Sequence, residues 1–121
     1  MTRRYSQKRC AYWSEASAAP AECVFLTRAH ERLRGLLFRE PDDKVRALVP
    51  CNAVHTVGMA HEIDIAFIDG AGTVLAAHRR VGKRRRLRCA GARMTLERFA
   101  DERPWFTAGD RVSLESIPRK G

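Results

Sequence analysis

Apolar residues in this chain recur mostly in short strand-like runs bounded by turn signals, and the helical period shows once. "ECVFLTRA" (22–29), rich in Val, Phe and Thr, predicts a short strand. In "AHERLRGLLF" (29–38), Leu33, Leu36 and Leu37 fall on one side while Glu31, Arg32, Arg34 and Arg39 can stay in water, which predicts a helix. Gly35 weakens that helix by about 1 kcal/mol relative to Ala and points to close packing or an early end. "EPDD" (40–43) reads as a turn. Strands are predicted near 45–49, 53–58, 63–68, 73–79, 92–98 and 111–115. "DGAG" (69–72) between "IDIAFI" and "TVLAAH" predicts a hairpin, and "GD" (109–110) introduces the last strand. Six to seven short strands with one short helix, and no internal repeat, argue for a mainly β fold of sandwich or barrel-like build.

A chain of 121 residues can bury a single core without metal or disulfide staples. Residues 1–20, with the small and polar "SEASAAPAE", are expected to be a flexible basic extension. Residues 21–117 are expected to form the β domain and 118–121 a tail. The longest apolar runs, such as "CVFL", are far too short to cross a bilayer. The basic start "MTRRYSQKR" is followed by no apolar segment, so the expectation is a cytoplasmic protein without a membrane partner. The four cysteines lie at 10, 23, 51 and 89, with no C-x-x-C pair, and are expected to be free thiols rather than metal ligands.

Two regions carry a family resemblance. "RLRGLLFR" (32–39) resembles an R-x-x-G-L-M-x-R helix, and "HTVGMAHEIDIAFID" (55–69) resembles an H-T-x-x-M-x-x-x-I-D-x-x-F-L-D block followed by a Gly-containing turn and a V-L strand, here "GAGTVL". "MTLE" (94–97) and "GDRVSL" (109–114) resemble later V-L-E and G-D-x-V strands. Over about residues 22–115 the chain is similar to the small prokaryotic family catalogued as domain of unknown function 192. Leu37 stands where that family usually has Met, and Glu62 where it often has Pro. The resemblance implies a single-domain β-sandwich of jelly-roll type and no agreed activity.

The candidate chemistry sits in "PCNAVHTVGMAHEIDIAFIDGAG" (50–72). On an extended strand Cys51, His55 and Met59 share a face, but Cys51 and His55 are about 13 Å apart, too far to hold one metal. No H-x-H or H-E-x-x-H spacing occurs, so neither metal nor cofactor is expected. Asp64 lies between Ile63 and Ile65, where a carboxylate needs solvent or donors. His55, Thr56, Met59 and Asp64 are therefore the candidate ligand-binding set, each with a purely architectural alternative.

Net charge changes the picture locally. The total is +9, of which residues 1–10 supply +4 and residues 79–88 supply +7, leaving the body near neutral. The second cluster, Arg79, Arg80, Lys83, Arg84, Arg85, Arg86 and Arg88, can form a hairpin with Gly82 at its tip and contact phosphates. Aromatic side chains for base stacking are absent from it. Three functions follow in order of preference. The first is a non-catalytic module that binds a small ligand or a protein at a polar cleft around His55, Thr56 and Asp64. The second is an anion-binding protein that takes RNA, DNA or an acidic polymer on the basic segment. The third is a small hydrolase or metal-dependent enzyme using His55, His61 and Asp64, for which no nucleophile elbow, phosphate loop or zinc signature is present.

Overall fold

The computed structural model of the chain describes residues 9–14 and 17–116, with side chains from Cys23 to Ser113. The elements are β1 (Arg9–Ser14), β2 (Ser17–Leu26), α1 (Ala29–Arg34), β3 (Val45–Leu48), β4 (Ala53–His55), β5 (Ile63–Ile68), β6 (Val74–Val81), β7 (Arg86–Arg88), β8 (Met94–Phe99) and β9 (Ser113–Ser116). Seven strands form one sheet in the order β6-β5-β8-β3-β2-β1-β9, while β4 and β7 pair in a second, two-stranded sheet. β2 and β3 run parallel, so their connection must cross over, and α1 lies on it. The architecture is mainly β with one short helix and two sheets.

The main sheet is covered on both faces at β3, β5 and β8, which are buried at every residue. Alternation divides their side chains. On one face Ala47, Ala66, Ile68 and Leu96 pack against Trp105 and Phe106, from the segment that follows β8. On the other, Ile63, Ile65, Phe67 and Phe99 pack beneath Leu36, Leu37, Val54 and Leu87, from the turn after α1 and the small sheet. Fully burying one such aliphatic or aromatic side chain contributes about 1.5–3 kcal/mol. The small sheet and the α1 turn therefore form a second layer over β5, β6 and β8.

Several expectations change. The helix foreseen over 29–38 ends at Arg34, because Gly35 adopts φ 50° and its N–H closes the last turn onto the Glu31 carbonyl. The residues foreseen as flexible at 9–14 and 17–20 are strand, since β2 pairs with β1 on one side and β3 on the other. Such ladder bonds need only backbone groups, so the small residues of this stretch do not prevent them. The rest of that extension, residues 1–8, 15 and 16, and the tail at 118–121 lie outside the described residues. The 79–88 segment is not a hairpin. β6 ends at Val81, the chain turns, and β7 pairs with β4 instead. The hairpin at 69–72 does form, with the Asp69 carboxylate accepting the N–H groups of Ala71 and Thr73. The expectation of four free thiols is corrected too. Cys23 is disulfide-bonded and Cys51 and Cys89 are free. Cys10 stands opposite Cys23 in the β1–β2 ladder, a neighbour relation that sequence spacing does not reveal.

Candidate ligand pocket

The structure divides the sequence-derived ligand set in two. Asp64 and Thr56 turn inward. Asp64 is fully buried, and its Oδ1 accepts the Arg80 N–H at 2.9 Å while its Oδ2 takes the Arg98 Nε–H at 2.8 Å. The β5–β6 register slips by one residue here, with Ile65 opposite His78 but Ile63 opposite Val81. Asp64 therefore faces a bulge, and Arg80 within it has φ 52°, a strained value for a side-chain-bearing residue. Arg98 extends the network. Its guanidinium donates to the Arg103 and Pro104 carbonyls and lies 4.6 Å from the Trp105 ring centroid. Trp105 in turn donates its indole N–H to the Ile65 carbonyl. Asp64 thus anchors both a strand bulge and the segment that closes one face of the core.

Thr56 holds the other layer. Its Oγ1 donates to the Gly82 carbonyl at 2.6 Å and accepts the Arg85 N–H at 2.8 Å, tying the end of β4 to the turn between β6 and β7. Neither Thr56 nor Asp64 has hydrogen-bonding capacity directed at a ligand. His61 does not join them, since it is exposed with its ring edge-on to Phe99 at 5.8 Å. Among the described residues no three His, Cys, Asp or Glu side chains gather in a way that could hold a metal ion.

His55 and Met59 belong to a different feature. They line a small, solvent-open pocket, with a cavity volume of about 70 Å³, between the end of α1, the turn that follows it, and β4. Its apolar walls include Leu33, Leu36, Val54 and Val57, and Arg32 and Arg34 lie on its α1 side. The remaining polar wall residue is Glu97 of β8. Glu97 is 4 % exposed, yet no hydrogen bond or ion pair among the described residues reaches its carboxyl group. Burial pushes the Glu97 carboxyl up to about 7, with the Arg46 charge opposing the rise. Arg46, opposite Glu97 on β3, is held by Asp42 through two bonds of 3.1 and 2.7 Å.

Gly35 makes this arrangement sterically feasible. A Cβ on Gly35 would stand 2.9 Å from Glu97 Oε1, and the residue's φ of 50° also favours glycine. The Arg39 Nε–H donates to the Gly35 carbonyl at 2.7 Å, fixing the turn over the carboxyl. Glu97, Arg32 and Arg34 were absent from the sequence-derived set. The signal for Glu97 was an acidic residue inside "MTLERF", a stretch otherwise fit for a buried strand.

The basic segment also splits. Arg79 donates to the Asp101 and Arg103 carbonyls, and Arg80 lies 3.7 Å from both Glu62 and Glu102. Lys83, Arg84, Arg85, Arg86 and Arg88 are exposed, and their side chains have no hydrogen bond or ion pair among the described residues. In the β4–β7 ladder Arg86 stands directly opposite His55, so one end of this cationic strip adjoins the pocket.

No family model and no curated protein matches the chain. Two solved structures do. One is a protein of unknown function from Novosphingobium aromaticivorans, with a TM-score of 0.64, 17 % identity, and 88 % of this chain aligned to 84 % of that one. The other is a Sinorhizobium meliloti protein provisionally described as a transcription regulator, with a TM-score of 0.66, 15 % identity, and 91 % of this chain aligned to 93 % of that one. At such identities the likeness is one of fold.

Proposed function

We propose that the chain is a non-catalytic binding module whose ligand enters the pocket between α1 and β4, with Glu97 at its wall. The observation that carries this reading is a carboxyl-bearing side chain only 4 % exposed, with no donor of its own among the described residues, at the edge of open space. Its carboxyl oxygens are not sealed off without a partner, so whatever fills the pocket supplies their donors. The residues behind the family resemblance support the same place. Arg32, Gly35, His55, Met59 and Glu97, distant in sequence, all line it. On that ground we also propose membership of the domain of unknown function 192 family and its jelly-roll arrangement. No group near Glu97 supplies a nucleophile with its own base and orienting partner, so catalysis is the weaker reading.

The test is amide shift mapping against a library of small metabolites. Ligand shifts are expected at residues 32–37 and 53–59, and the pocket-filling change Ala53→Trp is expected to abolish them. Responses scattered elsewhere, or unaffected by that change, would refute the pocket.

A second reading rests on the cations of the β6–β7 turn and β7. Five positive side chains on one strip, with no ion pair among the described residues, suit a polyanion, whose binding would weaken steeply with salt through counterion release. One fold neighbour's provisional description as a transcription regulator is compatible with this. Triple replacement of Arg84, Arg85 and Arg86 by Ala is expected to remove RNA retention at low salt. Unchanged retention would eliminate the strip as the contact.

A further inference from the structure

The charge pattern of the pocket restricts what can bind there. A carboxyl at the wall favours a hydrogen-bond donor, and an ammonium group most of all. A plain amine, however, would share the pocket with two cationic side chains, Arg32 and Arg34. A plain anion would be attracted by those groups but would meet Glu97. Each arginine uses only part of its donor fork on the chain itself, Arg32 on the Thr27 carbonyl and Arg34 on the Leu37 carbonyl. Between the two charge types the walls are hydrocarbon, from Leu36, Val54, Val57 and Met59.

We infer that the pocket takes a small zwitterion, its ammonium on Glu97, its anionic group on Arg32 and Arg34, and its hydrocarbon against the apolar walls. The inference rests on the pocket reading above and deepens it. The anionic group can be a carboxylate or a phosphonate, since both suit a guanidinium fork. A ligand with one charge alone leaves either the Glu97 carboxyl or the two arginines without a partner in the ligand. Complementary charges placed this way mainly supply specificity.

Binding of an ammonium requires the ionised carboxyl, so it is linked to pH. The charged and titratable groups around Glu97 are Arg46 with Asp42 from β3 and its approach, Arg32, Arg34 and Arg39 from α1 and its turn, and His55 from β4. On β5 the neighbours, Ile63 and Ile65, are apolar. With the Glu97 carboxyl near 7, zwitterion affinity falls roughly tenfold from pH 8 to pH 6. Glu97→Gln removes the carboxyl's share of that dependence and leaves any contribution from His55.

The experiment is calorimetric titration of the full chain with four matched probes: L-leucine, its aminophosphonate analogue, 4-methylpentanoate and 3-methylbutylamine. One of the two zwitterions is expected to bind at least tenfold tighter than the acid or the amine. Which zwitterion wins separates carboxylate from phosphonate. Glu97→Gln is expected to cost the winner at least tenfold and flatten its pH profile, with amide spectra confirming the fold. Equal affinity for the zwitterion and a single-charge probe overturns the inference. So does the absence of binding by all four when the metabolite library yields a pocket ligand, and in that case the pocket reading stands. Silence from both the probes and the library overturns both.

Discussion

Replacing Glu97 by Gln is expected to stabilise the protein above neutral pH and to leave it nearly unchanged in mild acid. In the folded chain the carboxyl is pushed up to about 7 from an ordinary value of 4.5, with burial the dominant cause. The folded state therefore holds its proton more tightly than the unfolded state, and stability falls as pH rises. The stabilising contribution of the protonated form is whole below about 4.5, drains away between 4.5 and 7, and is gone above that window. A displacement of this size corresponds to about 3 kcal/mol, an order-of-magnitude figure, at about 1.4 kcal/mol per pH unit. A glutamine side chain keeps the shape and cannot ionise. The difference between the two proteins should thus grow from near zero at pH 4.5 to about 3 kcal/mol at pH 8, or roughly 10 °C in Tm. Urea denaturation at half-unit pH steps reads it directly, and subtracting the curves cancels every other titrating group distant from the site. Parallel curves across the whole range would show that the carboxyl ionises freely, and the argument for an uncompensated buried acid would fail.

Other substitutions test the neighbouring inferences. Asp64→Ala removes the fully buried partner of Arg98, which keeps only Asp101 at 3.3 Å, and the acceptor at the strained Arg80 bulge, so a loss of about 3 kcal/mol is expected on urea denaturation. A loss below about 1 kcal/mol would deny Asp64 its anchoring role. Thr56→Val deprives the Gly82 carbonyl and the Arg85 N–H of their side-chain partner and should cost about 2 kcal/mol, largely recovered by Thr56→Ser. Failure of Ser to rescue would point to the methyl group rather than the hydroxyl. Gly35→Ala should cost about 1–2 kcal/mol through its φ and its approach to Glu97. In a Glu97→Ala background the steric share should vanish, giving a coupling of at least about 0.5 kcal/mol. Additive losses would mean that the two residues do not touch.

The elements legible in the sequence were those whose signal is local. "IDIAFI", "DGAG" and "TVLAAH" give a strand, a turn and a strand, because alternation and an Asx turn act over a few residues. Gly35 announced the early end of the helix in the same way. What was missed depends on partners far along the chain. The small residues of β2 gain their order from β1 and β3, and β7 leaves the basic run to pair with β4, far upstream. A basic segment carries no sign of which strand will accept its backbone.

The candidate site shows the same limit in a sharper form. His55, Thr56, Met59 and Asp64 were grouped because they are close in sequence and chemically conspicuous. Alternation then parted them: Asp64 points to the face of the main sheet that carries Trp105, while His55 lies in the other layer. Glu97 escaped notice because its meaning is tertiary. In "MTLERF" Arg98 is its neighbour of opposite charge, yet adjacent strand residues face opposite sides, so Arg98 goes to Asp64 and Glu97 is left to Arg46. Asp42 claims Arg46 by a bidentate bond, leaving Glu97 with an opposite charge nearby but no donor in contact among the described residues. Two acids and two bases on two faces of one sheet are thus assigned by strand parity, three of them bonded to side chains and Glu97, among the described residues, to none. Glu97 is also the one facing the pocket. Strand parity therefore makes the Glu97 wall of the pocket, rather than the conspicuous His–Thr–Asp run, the place where a ligand would meet a polar group that has no donor among the described residues.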